Sequence, residues 1–165
     1  MIVISFTGRK SKIPLTSREL QLIITTTQRL LGIKLPKALP LVLNCKIVNE
    51  KEMVAMNETW RHQKQASPII AFPDYYLKLA GEPVKEEIHL GDMLICPQVL
   101  KQKTKDNFSV NNKQNFRQQF IRSFTHSLLH LYGYTHDKDK QAKAMEKKEQ
   151  QVSDIVIEKL IKKSV

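Results

Sequence analysis

Apolar residues recur along the chain with a period of two in some stretches and of three to four in others, and the two periods mark out its elements. Met1–Thr7 and Leu39–Val48 are rich in β-branched and aliphatic residues and read as strands. Ile69–Phe72, closed by Pro73, and His89–Cys96, stopped by Pro97, read as two more. Helical stripes lie between and after them. Leu20, Ile23, Ile24, Thr27, Leu30 and Leu31 share one face behind the capping box Thr16-Ser17-Arg18-Glu19, and Gly32 ends that helix. Asn49, with Glu52 three residues on, caps a second helix running to about Trp60. From about Lys113 a long helix carries Phe116, Phe120, Phe124, Leu128 and Leu131 as its core stripe. A last helix spans about Asp139–Lys162, with Met145, Val152, Val156 and Leu160 as its seam. Residues 74–88, with Gly81 and Pro83, read as a long loop, and the polar stretch KQKTKDNFSVNN as a mobile one. Strands mixed with helices, and a hairpin-like link between the third and fourth strands, predict an α+β fold. The expectation is a mixed sheet of about four strands packed with helices, in a single compact domain over residues 1–165.

Charge changes this picture more than composition does. Hydrophobic content of 41% and charged content of 26% are ordinary globular values. The balance of 27 Lys and Arg against 16 Asp and Glu is not ordinary, because it leaves a net charge of +11 on 165 residues. Such a surplus attracts polyanions, nucleic acid first and an acidic membrane surface second. No stretch has the basic amphipathic pattern of a surface-lying helix, so no membrane partner is expected. The basic residues are dispersed over Arg9–Arg18, Lys101–Lys105, Arg117–Arg122 and the Lys-rich end, which suits a broad electrostatic footprint. Cys45 and Cys96 both fall inside apolar runs without zinc-knuckle spacing and read as buried free thiols of a reducing compartment. MIVISFTGRK is too short in its apolar core for a signal peptide, and no run reaches membrane-spanning length, so a cytoplasmic location is expected.

Candidate chemistry concentrates in HSLLHLYGYTH. His126 and His130 lie one helical turn apart and about 40° around the axis. They sit roughly 100–140° from the centre of the phenylalanine and leucine stripe, flanking the buried face without joining it. Gly133 falls where the helix should end, because glycine accepts the left-handed conformation that turns the backbone. That turn can bring His136 back to the other two. Three converging imidazoles that leave a fourth position open have the donor set of a catalytic zinc site.

The same spacing occurs in the metzincin protease signature H-E-x-x-H-x-x-G-x-x-H, in which a glutamate after the first histidine takes the proton from water. This chain has Ser127 there, whose hydroxyl is no base near neutral pH. Met145 lies in the helical context AKAMEKKE and not in a turn beneath the metal, which further disfavours a protease.

HSLLHLYGYTH resembles instead the signature H-G-x-L-H-L-x-G-Y-D-H of the YbeY family of endoribonucleases, which act in ribosomal RNA maturation and ribosome quality control. HLGDMLICPQVL resembles that family's L-G-D-I-x-I strand, with Gly91 and Asp92 in register. MNETWRHQKQASPIIAFP resembles L-N-x-x-Y-R-x-x-x-x-P-T-D-V-L-S-F-P, with Asn57, Arg61, Phe72 and Pro73 in register. AMEKKEQ, around Glu146 and Glu149, is similar to its C-terminal helix. The resemblance implies one Zn2+ held by His126, His130 and His136, with Arg61 as the catalytic cation near the scissile phosphate. It also implies single-stranded RNA of ribosomal precursors as substrate, including processing at the small-subunit 3′ end, and ribosomal proteins as partners. Trp60, Tyr75 and Tyr76 are candidate stacking platforms for bases, or core residues.

The chain departs from the family pattern at several positions. Ser67-Pro68 stands where the family has Thr-Asp, removing a carboxylate and a backbone N–H from the expected edge of the groove. Ala71 replaces a serine and Ser127 a glycine. Thr135 replaces the aspartate before the third ligand, and Asp137 or Asp139 could substitute as a partner for a histidine. Asp92 reads as a buried structural carboxylate or as such a partner. A non-catalytic ribosome-assembly factor with a structural metal is the alternative to the nuclease, and a protease lacking its base the third reading.

Overall fold

The apolar runs pair into one sheet, and the chain's crossovers set its order. The computed structural model describes residues 1–9, 12–35, 39–74, 87–105 and 112–161. Its elements run β1 (Ile2–Thr7), α1 (Ser17–Leu31), β2 (Leu41–Ile47), α2 (Glu50–Arg61), β3 (Ile69–Pro73), β4 (Ile88–Ile95), α3 (Pro97–Lys105), α4 (Asn112–Leu131) and α5 (Asp139–Ile161). The strands lie in the order β1-β2-β4-β3. The β1–β2 and β2–β4 pairs are parallel, and β3 runs antiparallel to β4. This is the mixed four-stranded α+β sheet that the sequence predicts. Gly81, Pro83, Tyr75 and Tyr76, and residues 106–111 of the polar stretch, lie outside the described residues.

Both predicted capping boxes form. The Thr16 hydroxyl accepts from the Glu19 N–H at 3.3 Å, and the Glu19 carboxylate accepts from the Thr16 N–H at 2.7 Å. Asn49 and Glu52 exchange the same pair of bonds at 2.9 and 3.0 Å at the start of α2. Each box satisfies backbone donors that the first helical turn would otherwise leave unpaired.

The two faces of the sheet are covered unequally. On one face, Leu41, Leu43, Cys45, Ile88, Leu90, Met93 and Ile95 meet α1, α4 and α5 in the main core. Phe120 and Phe124 sit there fully buried, stacked with centroids 6.1 Å apart. Burying rings of that size contributes about 1.5–3 kcal/mol each. On the other face a smaller cluster gathers Met53 of α2, Ile70 of β3, and Leu94, Cys96 and Val99. Cys45 and Cys96 are buried and unpaired. Burial, with the nearby Asp92 carboxylate adding to it, pushes the Cys45 thiol up to about 12, so it has no thiolate character at neutral pH.

One feature of β4 corrects the expectation for Asp92. Ile88 and Leu90 point into the main core, yet so do Met93 and Ile95, so the parity of the strand changes by one at Gly91. The change is a bulge, seen as a register shift opposite Val42 and Leu43. Gly91 has φ +135°, and a Cβ there would overlap the Phe72 carbonyl oxygen of the neighbouring strand. Asp92 is thereby turned out to the less covered face, where it is exposed.

A second correction concerns the polar stretch after β4. Lys101–Lys105 is not loop but the second half of α3, which begins at Pro97. Proline suits the first turn of a helix, where its missing N–H costs nothing. Val99, Leu100 and Thr104 are buried along its inner face. Among the described residues no helix is long and apolar enough to cross a membrane.

Candidate metal centre and its groove

The end of α4 builds the histidine cluster from backbone geometry. Gly133 takes φ +86°, its N–H donating to the His130 carbonyl at 2.9 Å and the Tyr134 N–H donating to that of Leu129 at 3.0 Å. This left-handed cap reverses the chain and brings His136 over the helix end. The three rings lie with centroids 4.8 Å apart for His126–His130, 5.0 Å for His130–His136 and 5.7 Å for His126–His136. Their ligand atoms all fall within 4.8 Å of one another, so the cluster could hold a metal ion.

Hydrogen bonds fix which nitrogens face inward. His126 Nδ1 lies 2.8 Å from Glu149 Oε2 of α5, and His130 Nδ1 lies 2.8 Å from the Tyr134 carbonyl oxygen. A carboxylate and a carbonyl only accept, so both Nδ1 atoms carry the proton. The two Nε2 atoms then face each other at 3.1 Å. With both rings neutral, their lone pairs converge on one point that a cation would occupy. Tetrahedral zinc, with Zn–N of about 2.0–2.1 Å, places its nitrogens about 3.3 Å apart, close to what these two adopt. Burial lowers the pKa of His130. The neighbouring His126, His136 and Arg61 add to this, against the opposing bond to Tyr134. A lowered pKa keeps the ring neutral and its lone pair free for a metal.

The predicted partners Asp137 and Asp139 hold neither of these rings. Glu149, from a distant turn of α5, and a backbone carbonyl of the capping turn do so instead. The family block around Glu149 was the only signal in the sequence for that contact.

Beside the cluster a groove of about 310 Å3 is lined by Arg61, Ser67, Pro68, Lys103, Arg122, His126 and Glu149, among others. The structure therefore brings Arg61 to the same groove as His126. It also adds Lys103 and Arg122, which the sequence showed only as dispersed charge. The Arg61 side chain is exposed, and its guanidinium has no hydrogen bond or ion pair among the described residues. Arg122, in contrast, donates to Gln150 at 3.0 Å and lies 3.9 Å from Asp154.

Arg61 is placed by the residues around it. It is the last residue of α2, and His62 after it takes φ +54° as a left-handed cap. Asn57, fully buried, donates through Nδ2 to the Gln65 carbonyl and to the Ser67 hydroxyl, the latter at 2.9 Å. Those two bonds tie the end of α2 to the start of β3. The Pro68 carbonyl accepts from the Cys96 N–H at 2.8 Å. Pro68 borders the groove at the start of an edge strand, where its missing N–H breaks no ladder.

Comparisons with known proteins agree with one another. The family profile described as "Endoribonuclease YbeY" matches residues 5–156. A protein named endoribonuclease YbeY from Ruthia magnifica is 30% identical over 102 residues, 61% of this chain and 63% of that protein. Another of that name from Francisella philomiragia is 33% identical over 105 residues, 63% of this chain and 62% of its own length. The matched stretch thus spans less than two thirds of either relative. A solution structure of a Thermotoga maritima protein shares the fold. Its TM-score is 0.55 at 22% identity, over 96% of this chain and 91% of that one.

Proposed function

The chain belongs to the YbeY family, and from that premise we propose that it is a zinc-dependent endoribonuclease. Its substrate is single-stranded RNA in ribosomal precursors, including the small-subunit 3′ end, and in defective ribosomes, within the cytoplasm and beside ribosomal proteins. The observation that carries the proposal is a single groove shared by His126 and the unpaired Arg61.

In this reading His126, His130 and His136 hold the metal, which when bound polarises a phosphoryl oxygen or activates water as a Lewis acid. Everything else is work for the chain's own groups. Glu149 and the Tyr134 carbonyl keep the Nδ1 protons in place, so that the Nε2 lone pairs remain the ligands. Arg61, always charged and able to hold two phosphate oxygens at once, neutralises charge as it builds at phosphorus. Lys103 and Arg122 line the same groove and hold flanking phosphates.

The deciding experiment is cleavage of single-stranded RNA by the purified, metal-loaded protein beside His130→Ala and Arg61→Ala. Loss of cleavage in both variants supports the proposal, and cleavage unaffected by either points to a contaminant and overturns it. RNA binding that weakens steeply with salt, with no cleavage, would favour the assembly factor, for which Pro68 in place of a groove carboxylate is the supporting observation. Turnover of peptides would revive the protease.

A further inference from the structure

The less covered face of the sheet has no part in the chemistry above, and it is neither flat nor featureless. Helix α2 covers it only in part, leaving a cavity of about 500 Å3 lined by Thr7, Asn44, Lys46, Trp60, Phe72 and Asp92, among others. That volume lies within the roughly 300–1,000 Å3 of small-ligand sites. We propose that this cavity is a nucleobase subsite: a guanine of the bound RNA stacks on Trp60 and donates its N1–H and N2–H to Asp92. The proposal rests on the reading of the chain as a single-strand RNA enzyme.

Three independent observations converge on it. The first is Trp60 itself, which is 63% exposed and, with Met1, one of the two large apolar side chains left in solvent among the described residues. Its ring meets Phe72 edge-on at 6.0 Å and 75°, so a core residue steadies the indole beside the cavity. A steadied, exposed indole is the surface that a base covers in single-strand recognition.

The second observation is the polar floor. Asn44 Nδ2 donates to Asp92 Oδ1 at 3.0 Å, which orients the carboxylate and leaves its Oδ2 without a partner among the described residues. Asp92 stands directly across from Phe72 in the β3–β4 ladder, so the carboxylate and the aromatic pair belong to the same end of the cavity. An ionised carboxylate only accepts. Guanine is the base whose pairing edge offers two adjacent donors. Adenine and cytosine present a ring nitrogen lone pair beside their amino group, and that lone pair would face the second carboxylate oxygen.

The third observation is continuity. Trp60 and Arg61 are consecutive at the end of α2, the first lining this cavity and the second lining the metal groove. On the sheet, Phe72 and Ile69 of β3 divide the same way. A strand whose phosphate rests at Arg61 therefore has a neighbouring base on the Trp60 side. Lys46 in the cavity and the overall charge of +11 favour an RNA strand there over a basic peptide.

Trp60 is the only tryptophan of the chain, so its fluorescence reports on this cavity alone. The full-length protein would be titrated with the pentanucleotide RNAs UUGUU and UUUUU, and with an arginine-rich peptide, while cleavage is followed on the same preparation. UUGUU should quench Trp60 and bind about tenfold tighter than UUUUU, the cost of one misread base in a specific site. Asp92→Asn should abolish that preference and leave UUUUU binding in place. Trp60→Ala, which removes the fluorophore and is therefore followed by the anisotropy of an end-labelled RNA, should weaken both RNAs by roughly five- to hundredfold, the loss expected for one stacked base. Equal binding of the two RNAs, a preference that survives Asp92→Asn, or quenching by the peptide alone would each overturn the subsite. Cleavage without quenching sinks the subsite and spares the nuclease. Guanine-dependent quenching without cleavage does the reverse.

Discussion

The two sides of the groove are held in opposite ways. On the histidine side two of the three rings are already held: Gly133 turns the chain, Glu149 and Tyr134 fix His126 and His130, and α4 anchors these two in the core. On the arginine side the backbone is pinned by Asn57, but the guanidinium itself is exposed and unpaired among the described residues. In the proposed function the difference follows from what each side would bind. A metal needs several donors at fixed separations, and preorganising them removes the entropic cost of gathering them. A phosphate needs one mobile cation that has no internal partner to give up first. A held cradle and a free cation across one groove suit the charged, flexible RNA strand proposed as substrate.

Replacing the free cation should give the largest effect that leaves the cradle untouched. Arg61→Ala should lower turnover roughly 10²–10³-fold, the usual loss when one transition-state donor is removed. Arg61→Lys should restore only part of it, because an ammonium cannot fork to two oxygens. Bound metal, counted by elemental analysis, should be the same in both variants as in the parent. Loss of metal on replacing Arg61 would mean that the two sides are not separate devices.

Weakening the cradle should show the converse. Glu149→Gln replaces an acceptor-only partner of His126 with an amide that can also donate, so the ring is no longer held to one tautomer. Metal affinity, read by competition with a chelating dye, should fall about 10–100-fold. Excess metal should return the activity, which it would not do for Arg61→Ala. An unchanged affinity would show that the Glu149 contact does nothing for the metal.

How much of this was legible in the sequence differs between the same two sides. HSLLHLYGYTH could be read directly, because helical spacing and one glycine determine where the imidazoles go within a single local segment. Arg61 was legible only through the block around it, since a lone arginine at a helix end carries no pattern of its own. Glu149 was hidden by its context, a Lys- and Glu-rich helix in which only the packing of α5 on α4 decides which carboxylate turns inward. Helix α3 was hidden because its short apolar face counts only once a neighbour covers it, and Lys101–Lys105 alone reads as solvated. The outward turn of Asp92 was hidden because simple alternation from Ile88 and Leu90 would point it into the core, and the bulge at Gly91 reverses that. Local periodicity survives in the sequence, whereas contacts that depend on a change of register or on a distant helix do not.

Smaller effects should separate the two turns that bear the sides. Gly133 has no atom near the position a Cβ would take, so Gly133→Ala meets no clash and costs only the left-handed backbone penalty, about 1–2 kcal/mol. That cost falls on the turn holding Tyr134 and His136. Denaturant unfolding should therefore show the loss of stability, and the dye competition a weaker metal, together. If stability drops with metal affinity intact, His136 does not depend on the turn for its place.

The mirror substitution on the other side is His62→Gly. His62 follows Arg61 and is the one non-glycine residue with positive φ among the described residues. The strain of that conformation, about 1–2 kcal/mol, is relieved by glycine. Glycine also gives the unfolded chain more freedom, which offsets part of the gain, about 0.5–1 kcal/mol. The net expectation is a rise of roughly 0.5–1 kcal/mol, or about 1–4 °C in the thermal midpoint of a chain this size. Metal affinity should not move, because no histidine of the cluster contacts this turn among the described hydrogen bonds. A more stable protein that cleaves RNA more slowly would show that the strained cap, and not only the Asn57 bonds, sets where Arg61 can reach. A less stable one would show that the His62 side chain contributes more than its backbone costs.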